Sequence, residues 1–464
     1  MWRSRVVRTP RDAHEVVAIL GEHREGNIRA LGALHSWSDV AVSDDVTLDM
    51  SAMRGVELLD RATYGVDAVG IEAGCPIQDV LDFLRPRGLT LPTLGVIKRQ
   101  TISGAISTGT HGSGLPGLSH FVLGMAIAAY DAQGNPAVRE VRSGDALRAV
   151  RCGVARTGVI LRVDMPVVPL YLVDEAVVGH ASVESILARY AERPLTQFLV
   201  IPYSWGCVAF ERAPRVARPL SPREKGAALW WRLYSHAWID VGFHLLLKTA
   251  LLLGTGATRG LMKALPSLML RYHGRVDDAE HVLTTAHYLF RHEEMEVFVP
   301  QSRLVEALAI LRAATEVFAG TRAQAPADIA ATIGAVSPKL LDELHAGRGA
   351  YTQHYPFFFR RVMPEDALVS MASGVSEPMI SISVFTYCAP SDRAGYCRYC
   401  AWLARCMHRL FGARLHWGKH FPPGLDAMAG AYPGLEAFRA YCASVDPKGV
   451  FGNADSSAWL APRP

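Results

Sequence analysis

The stretch 95–117 constrains this chain more than any other. It reads Gly95-Val-Ile-Lys-Arg-Gln-Thr-Ile-Ser-Gly-Ala-Ile-Ser-Thr-Gly-Thr-His-Gly-Ser-Gly-Leu-Pro-Gly117. At its centre Gly104, Gly109, Gly112 and Gly114 are set among Ala105, Ser107, Thr108, Thr110 and Ser113. Glycine lets the backbone approach a ligand closely and adopt positive φ. Successive exposed N–H groups form an anion-binding concavity, and Ser and Thr add short donors. The pattern predicts a cradle for a pyrophosphate over Ser103–Gly114; a plain run of turns is the alternative. It is neither a Walker A loop, which ends Gly-Lys-Ser/Thr, nor a Rossmann fingerprint, whose glycines lie between a strand and a helix.

A chain of 464 residues exceeds one simple core, so two domains are expected. Half the residues are apolar and a fifth charged, as in a soluble globular protein. A net charge of +4 gives no argument for nucleic acid. Cys75, Cys152, Cys207, Cys388, Cys397, Cys400, Cys406 and Cys442 are too sparse for a disulfide scaffold and read as reduced thiols of a cytoplasmic protein. Cys397 and Cys400 form a Cys-x-x-Cys, but they fall on an amphipathic helix over Tyr396–Phe411, and no metal is expected. No signal-peptide core follows Arg3, Arg5 and Arg8. The most apolar run, Val241–Gly254, is too short to span a membrane and reads as a core helix, with peripheral membrane contact as the alternative.

Periodicity and punctuation place a helix over Asp12–Leu20 and strands over Ile28–Leu31, Val46–Met50 and Ala68–Glu72. A helix is expected over Ile77–Leu84, then strands over Phe121–Tyr130 and Ala137–Val141, a helix over Asp145–Arg151 and a strand over Val159–Val167. Pro219–Tyr272 reads as long and helical, His281–Pro300 as strands and Ser302–Phe318 as a helix. Pro356–Val362 and Met379–Tyr387 read as strands.

Two further segments carry chemistry. His35 follows a tight turn in Arg29–Asp39; an imidazole there is a ligand, a base or a covalent attachment point, or else a structural side chain. Lys419 lies beside Gly418, between His416 and His420, where an ammonium stabilises a developing alkoxide or a reduced, anionic ring. A surface lysine near a turn is the alternative.

Taken together, Arg29–Asp39, the segment Leu91–Gly114, and His416-Trp-Gly-Lys419 with Tyr432–Phe438 and Asp446–Phe451 resemble the flavoproteins of vanillyl-alcohol-oxidase type. The resemblance is to their aldonolactone oxidase and alditol oxidase branch. Glu294-Met-Glu296 with Pro300 also resembles a family segment, while 170–280 matches loosely. The resemblance implies an α+β, two-domain fold with a PCMH-type FAD-binding domain and a cap, or substrate, domain. On it, 1–168 is the N-terminal part of the FAD-binding domain, 169–420 the cap, and 421–464 a segment returning to the first domain. FAD would be held by Gly32, Ala33, Leu34, His35, Ser36, Trp37, Ser103, Gly104, Ser107, Thr108, Gly109, Thr110, His111, Gly112, Gly158 and Ile160. His35 matches the residue that many members link covalently to the flavin. Lys419, Arg360 and His416 would be catalytic, with Arg361 the alternative register for Arg360.

The implied reaction is hydride transfer from a CH–OH carbon to flavin N5, with O2 or another acceptor taking the electrons. A sugar-1,4-lactone or polyol is the first expectation for the substrate. Two departures bear on this. Leu34 stands where the branch has glycine, which puts the approach of His35 to the flavin in question. Phe358 stands where alditol-oxidising relatives have a glutamate, and a phenyl ring accepts no hydrogen bond. A less polar secondary-metabolite substrate and a non-catalytic member of the fold are the alternatives.

Overall fold

The computed structural model describes residues 4–269, 274–285, 289, 291–387, 393–423 and 430–459. Cys388 lies outside the described residues, and the other seven cysteines are free thiols.

The first third builds two small sheets around one core. Val6–Arg8, Val46–Asp49 and Ile28–Leu31 form a parallel sheet with Val46–Asp49 in the middle. Val56–Leu59, Ala68–Glu72, Val159–Pro166, Gly124–Tyr130 and Pro136–Val141 form an antiparallel sheet in that spatial order. Helix Ala13–Glu22 starts at Asp12, whose carboxylate accepts the Glu15 N–H, and packs Val16, Ile19 and Leu20 inward. Helix Ile77–Leu84 buries Ile77, Val80, Leu81 and Leu84, spaced three and four apart as one helical face requires. The chain returns at its end: Val445, Val450 and Phe451 enter this same core, and Val450 accepts a hydrogen bond from the Ile28 N–H at 2.9 Å.

The rest is built on an eight-stranded sheet, ordered Arg275–Asp278, Tyr171–His180, Cys207–Val216, Gln197–Val200, Phe357–Val362, Met379–Thr386, Glu293–Pro300 and Arg414–Leu415. Its described pairings are antiparallel, so side chains alternate between two faces. One face carries Phe198, Phe357, Phe359, Ile380, Ile382, Met295 and Val297 and is covered by helices Leu304–Phe318, Ala327–Val336, Pro338–Ala346 and Arg393–Phe411. The other carries Glu294, Glu296, Arg360, Ser381, Ser383 and Phe358, in register across three neighbouring strands. Part of that second face meets 103–114; part lies under helices Pro222–Tyr234, Phe243–Leu252 and Thr255–Met269.

Three expectations need correction. A six-residue helix, Ile102–Ser107, forms inside the glycine-rich stretch. His281 lies on a short helix, Ala279–Leu283, and the strand begins only at Glu293. The long helical segment holds a π-helical stretch, Ser235–Gly242, between the first two of its three α-helices. No described helix is long and apolar enough to cross a membrane.

One buried side chain ties the beginning, middle and end of the chain together. The Arg29 guanidinium is 1 % exposed and donates to the carbonyls of Val40, Val154, Ala155 and Phe451. Burial, with Arg156 nearby, pushes its pKa down to about 9. Replacing it by an isosteric apolar group leaves those carbonyls without their donor. Arg29→Met should destabilise the protein by about 3 kcal/mol or more, read as a lowered midpoint in chemical denaturation; a change within a few tenths would deny Arg29 this role.

Candidate active site

Two features meet where the small sheets face the eight-stranded one. The first is a cavity of about 240 Å³. Its walls include Gly32, Ala33, Leu34, His35, Ser36 and Trp37 from the loop after strand Ile28–Leu31. Ser103, Gly104, Ser107 and Thr108 from the short helix, and Gly158 and Ile160, complete it. Thr101, Thr157 and Asp39–Val42 line it too, though their sequence gave no sign of it.

The remaining expected cofactor residues do not line this cavity. Thr110 donates its N–H to Ala105 and accepts from Leu118, which folds the glycine-rich stretch back on itself. Gly109 packs against Met371 and Cys152, Gly112 against the Leu94 carbonyl, and His111 belongs to the charged cluster described next.

The cavity fits a dinucleotide on three counts. A Cβ on Gly32 would come within 2.1 Å of Thr101 Oγ1, so only glycine lets the two walls approach this closely. Thr101 Oγ1 itself is buried with no hydrogen-bond partner among the described residues. In the first turn of helix Ile102–Ser107 the amides of Ser103 and Gly104 have no intrahelical acceptor and remain donors for an anion. The hydroxyl protons are less available: Ser103 donates to Ala73 at 2.7 Å and Thr108 to Gly104 at 3.1 Å.

Leu34 has φ 58°, in the left-handed region, and its side chain is 61 % exposed. The backbone therefore follows a course that glycine takes freely, and leucine holds it at a cost of about 1–2 kcal/mol. Burial, then Lys419 and Arg99, lowers the His35 pKa, so its imidazole is neutral at pH 7.

The second feature is a cluster of buried charge. His111, Glu296 and His416 bring one polar atom each within 4.8 Å of one another. His111 Nε2 lies 3.3 Å from Glu296 Oε1, and the Arg360 guanidinium hydrogen-bonds to the same carboxylate. Arg360 reaches it across the intervening strand where that strand presents only the small side chains of Ser381 and Ser383. Burial works to raise the Glu296 pKa, but Arg360, His111 and His416 hold it well below the carboxylate range. His416 is neutral: burial drives its pKa well below the usual value, and its Nδ1 accepts the Gly418 N–H at 3.1 Å. Lys419 pairs with Glu294 and stands 4.6 Å from the centre of the Trp37 ring. His111 Nε2, Glu296 Oε2 and Arg360 Nε are buried without hydrogen-bond partners among the described residues.

So the structure brings Lys419, Arg360 and His416 together, and Glu294 and Glu296 join them without having been assigned a role. Their signal was the Glu-x-Glu alternation on a strand, which puts both carboxylates on one face. A hinge joins this cluster to the cavity: the Trp37 N–H donates to Gly418 O at 2.9 Å, and Ser38 Oγ to Trp417 O at 2.6 Å.

Comparison with known proteins follows the same division. Residues 4–133 match the FAD binding domain family and residues 163–461 the D-arabinono-1,4-lactone oxidase family. The chain is 37 % identical to a long-chain alcohol oxidase of an uncultured marine euryarchaeote, over 97 % of this chain and 93 % of that one. It is 24 % identical to the L-gulono-1,4-lactone dehydrogenase of Mycobacterium tuberculosis, over 99 % and 96 %. The structure resembles cholesterol oxidase from B. sterolicum, with TM-score 0.69 at 14 % identity over 98 % of this chain and 94 % of that one.

His35 and His416 both have folded pKa values below the unfolded value of about 6.5. The unfolded chain therefore takes up more protons as pH falls through that value, and stability declines. The denaturation midpoint should drop between about pH 7 and pH 5.5, and His416→Asn should shrink the drop; an equal drop in the variant would remove His416 as a cause.

Proposed function

Because the chain belongs to the FAD-dependent oxidases and dehydrogenases of the D-arabinono-1,4-lactone oxidase family, we propose that it oxidises the CH–OH group of an alcohol with a long apolar tail. A single observation carries this reading. Beyond Phe358 the sheet face opens into a cavity of about 80 Å³ lined by Leu199, Phe210, Trp231, Trp238, Phe243 and Phe358, among others. A chain of ring contacts leads there from the FAD cavity: Trp37 to His292 at 5.2 Å, His292 to Phe385 at 5.1 Å, Phe385 to Phe358 at 5.9 Å. A sugar lactone, with a hydroxyl on nearly every carbon, would find too few hydrogen-bond partners in a cavity walled mainly by Leu, Phe and Trp side chains. Leaving a polar group unpaired there costs roughly 1–3 kcal/mol, whereas each buried methylene gains about 0.8 kcal/mol. The relative named a long-chain alcohol oxidase supports the same choice.

In this reading residues 1–168 with 421–464 bind FAD and 169–420 form the cap. Bound FAD supplies the hydride acceptor, and O2 or another acceptor takes the electrons. The protein orients the hydroxyl and handles its proton. Arg360 and Lys419 offer positive charge to the oxygen as its proton leaves. The proton passes to His111 Nε2, beside the ionised Glu296 carboxylate at 3.3 Å that stabilises the resulting imidazolium. The tail lies along Phe358 and excludes water. His35, held neutral, is a competent nucleophile for a covalent link to the flavin. The described lid helices suit peripheral contact with a membrane, without a membrane span.

Two measurements test this. Anaerobic mixing should bleach the flavin with n-alkan-1-ols, faster as the chain lengthens toward about ten carbons, and weakly with L-gulono-1,4-lactone; the reverse preference would sink the reading. Acid precipitation should leave flavin in the pellet for the parent and release it from His35→Ala; flavin retained by the variant would place any link elsewhere.

A further inference from the structure

The helices over the apolar cavity have two apolar sides. Pro222–Tyr234, Ser235–Gly242 and Phe243–Leu252 follow one another without a break. Their inner side buries Ala228, Trp231, Phe243, Leu247 and Ala250 against the cavity and its neighbours. Their outer side exposes Leu229, Trp230 and Leu233, then Leu245 and Leu246. At the turn into helix Thr255–Met269, Leu252 is 87 % and Leu253 73 % exposed. Helices that bury one apolar side and expose a second apolar patch to solvent mark a surface that docks on a partner or on lipid, and these lie on the surface. Elsewhere exposed apolar side chains such as Leu58 and Val138 stand apart from one another, as on any soluble protein.

The charge around this face selects the partner. Residues 215–269 hold eight Lys and Arg against two acids, Glu224 and Asp240. Glu224 is taken up by Arg218 and by capping Ser221, and Asp240 is buried. Arg223, Lys225, Lys248 and Lys263 are exposed. Leucine and tryptophan beside lysine and arginine is the composition of a helix that lies in the headgroup region of a negatively charged bilayer. A second copy of the chain would bring like charges together.

We propose that the outer face of Pro222–Met269 docks on the surface of an anionic phospholipid bilayer, immediately above the apolar cavity. This rests on the reading of the substrate as a long-chain alcohol, because the same helices separate cavity from lipid. A sparingly soluble alcohol would then pass from bilayer to cavity without crossing water.

The test uses FAD-loaded enzyme and flotation with vesicles of phosphatidylcholine alone or mixed with phosphatidylglycerol. The parent should float with the mixed vesicles, less so as salt rises. Leu252→Glu/Leu253→Glu should lose about tenfold or more of that binding, while flavin reduction by dissolved octan-1-ol stays unchanged. Leu58→Glu should float like the parent. Failure of the parent to float, or equal flotation of the double variant, overturns the docking. So does a parent dimer in gel filtration that the double variant dissolves, which would give the face to a second copy. Flotation without flavin reduction by any alkanol would leave the docking standing and remove the substrate reading instead.

Discussion

The turn at Gly418 is the constraint on which the rest depends. Its carbonyl accepts from Trp37 at 2.9 Å, the neighbouring Trp417 carbonyl accepts from Ser38, and its own N–H donates to His416. A Cβ there would meet Thr108 at 3.1 Å and Ser36 at 3.3 Å. Three segments far apart in sequence thus converge on a point where a side chain would be tightly crowded. Because the turn follows strand Arg414–Leu415, the eight-stranded sheet is indexed to the FAD cavity through two hydrogen bonds. Reaction geometry is sensitive to displacements of about 1 Å, so the position of Lys419 is set here.

The inner sheet face then changes character along its length. At one end it carries Glu294, Glu296 and Arg360, over small serines that leave space for the guanidinium to cross. At the other it carries Leu199, Val208 and Phe210 beneath the lid helices. Phe358 sits between them, paired with Ser383 and next to Arg360's strand position. Buried charges are costly unless paired, and the polar end satisfies this by pairing each carboxylate with a cation. The apolar end needs no such compensation. On the proposed reading, the two halves divide the work of recognising a head group and a tail.

How much of this was legible depended on whether the signal was local. Strands Ile28–Leu31 and Ala68–Glu72 and helix Ile77–Leu84 have the bounds that their apolar periods and flanking Gly and Pro suggest. Helix Ile102–Ser107 was hidden because Gly104 and its serines are poor helix formers; its packing through Ile102 and Ile106 overrides propensity. Gly32–Trp37 were assigned to the cofactor by the family resemblance, and they line the 240 Å³ cavity. His111 was grouped with them by adjacency, but the bend through Gly109, φ 78°, carries it to Glu296. The role of Glu296 needed the register of two partner strands, which no local pattern contains. The cavity beyond Phe358 depends on helices far earlier in the sequence, so only the substitution itself hinted at it.

The position of Phe451 has a consequence for biosynthesis. The first core and the Arg29 site are closed by residues as far as 422 positions after Arg29. Until these have been made, the strands of the first domain lack Val445, Val450 and Phe451, and a guanidinium destined for a dry interior still lacks one of its acceptors. Domains ordinarily fold as they emerge. Here the first core is completed only after the eight-stranded sheet has been made and residues 445–451 have come back to it.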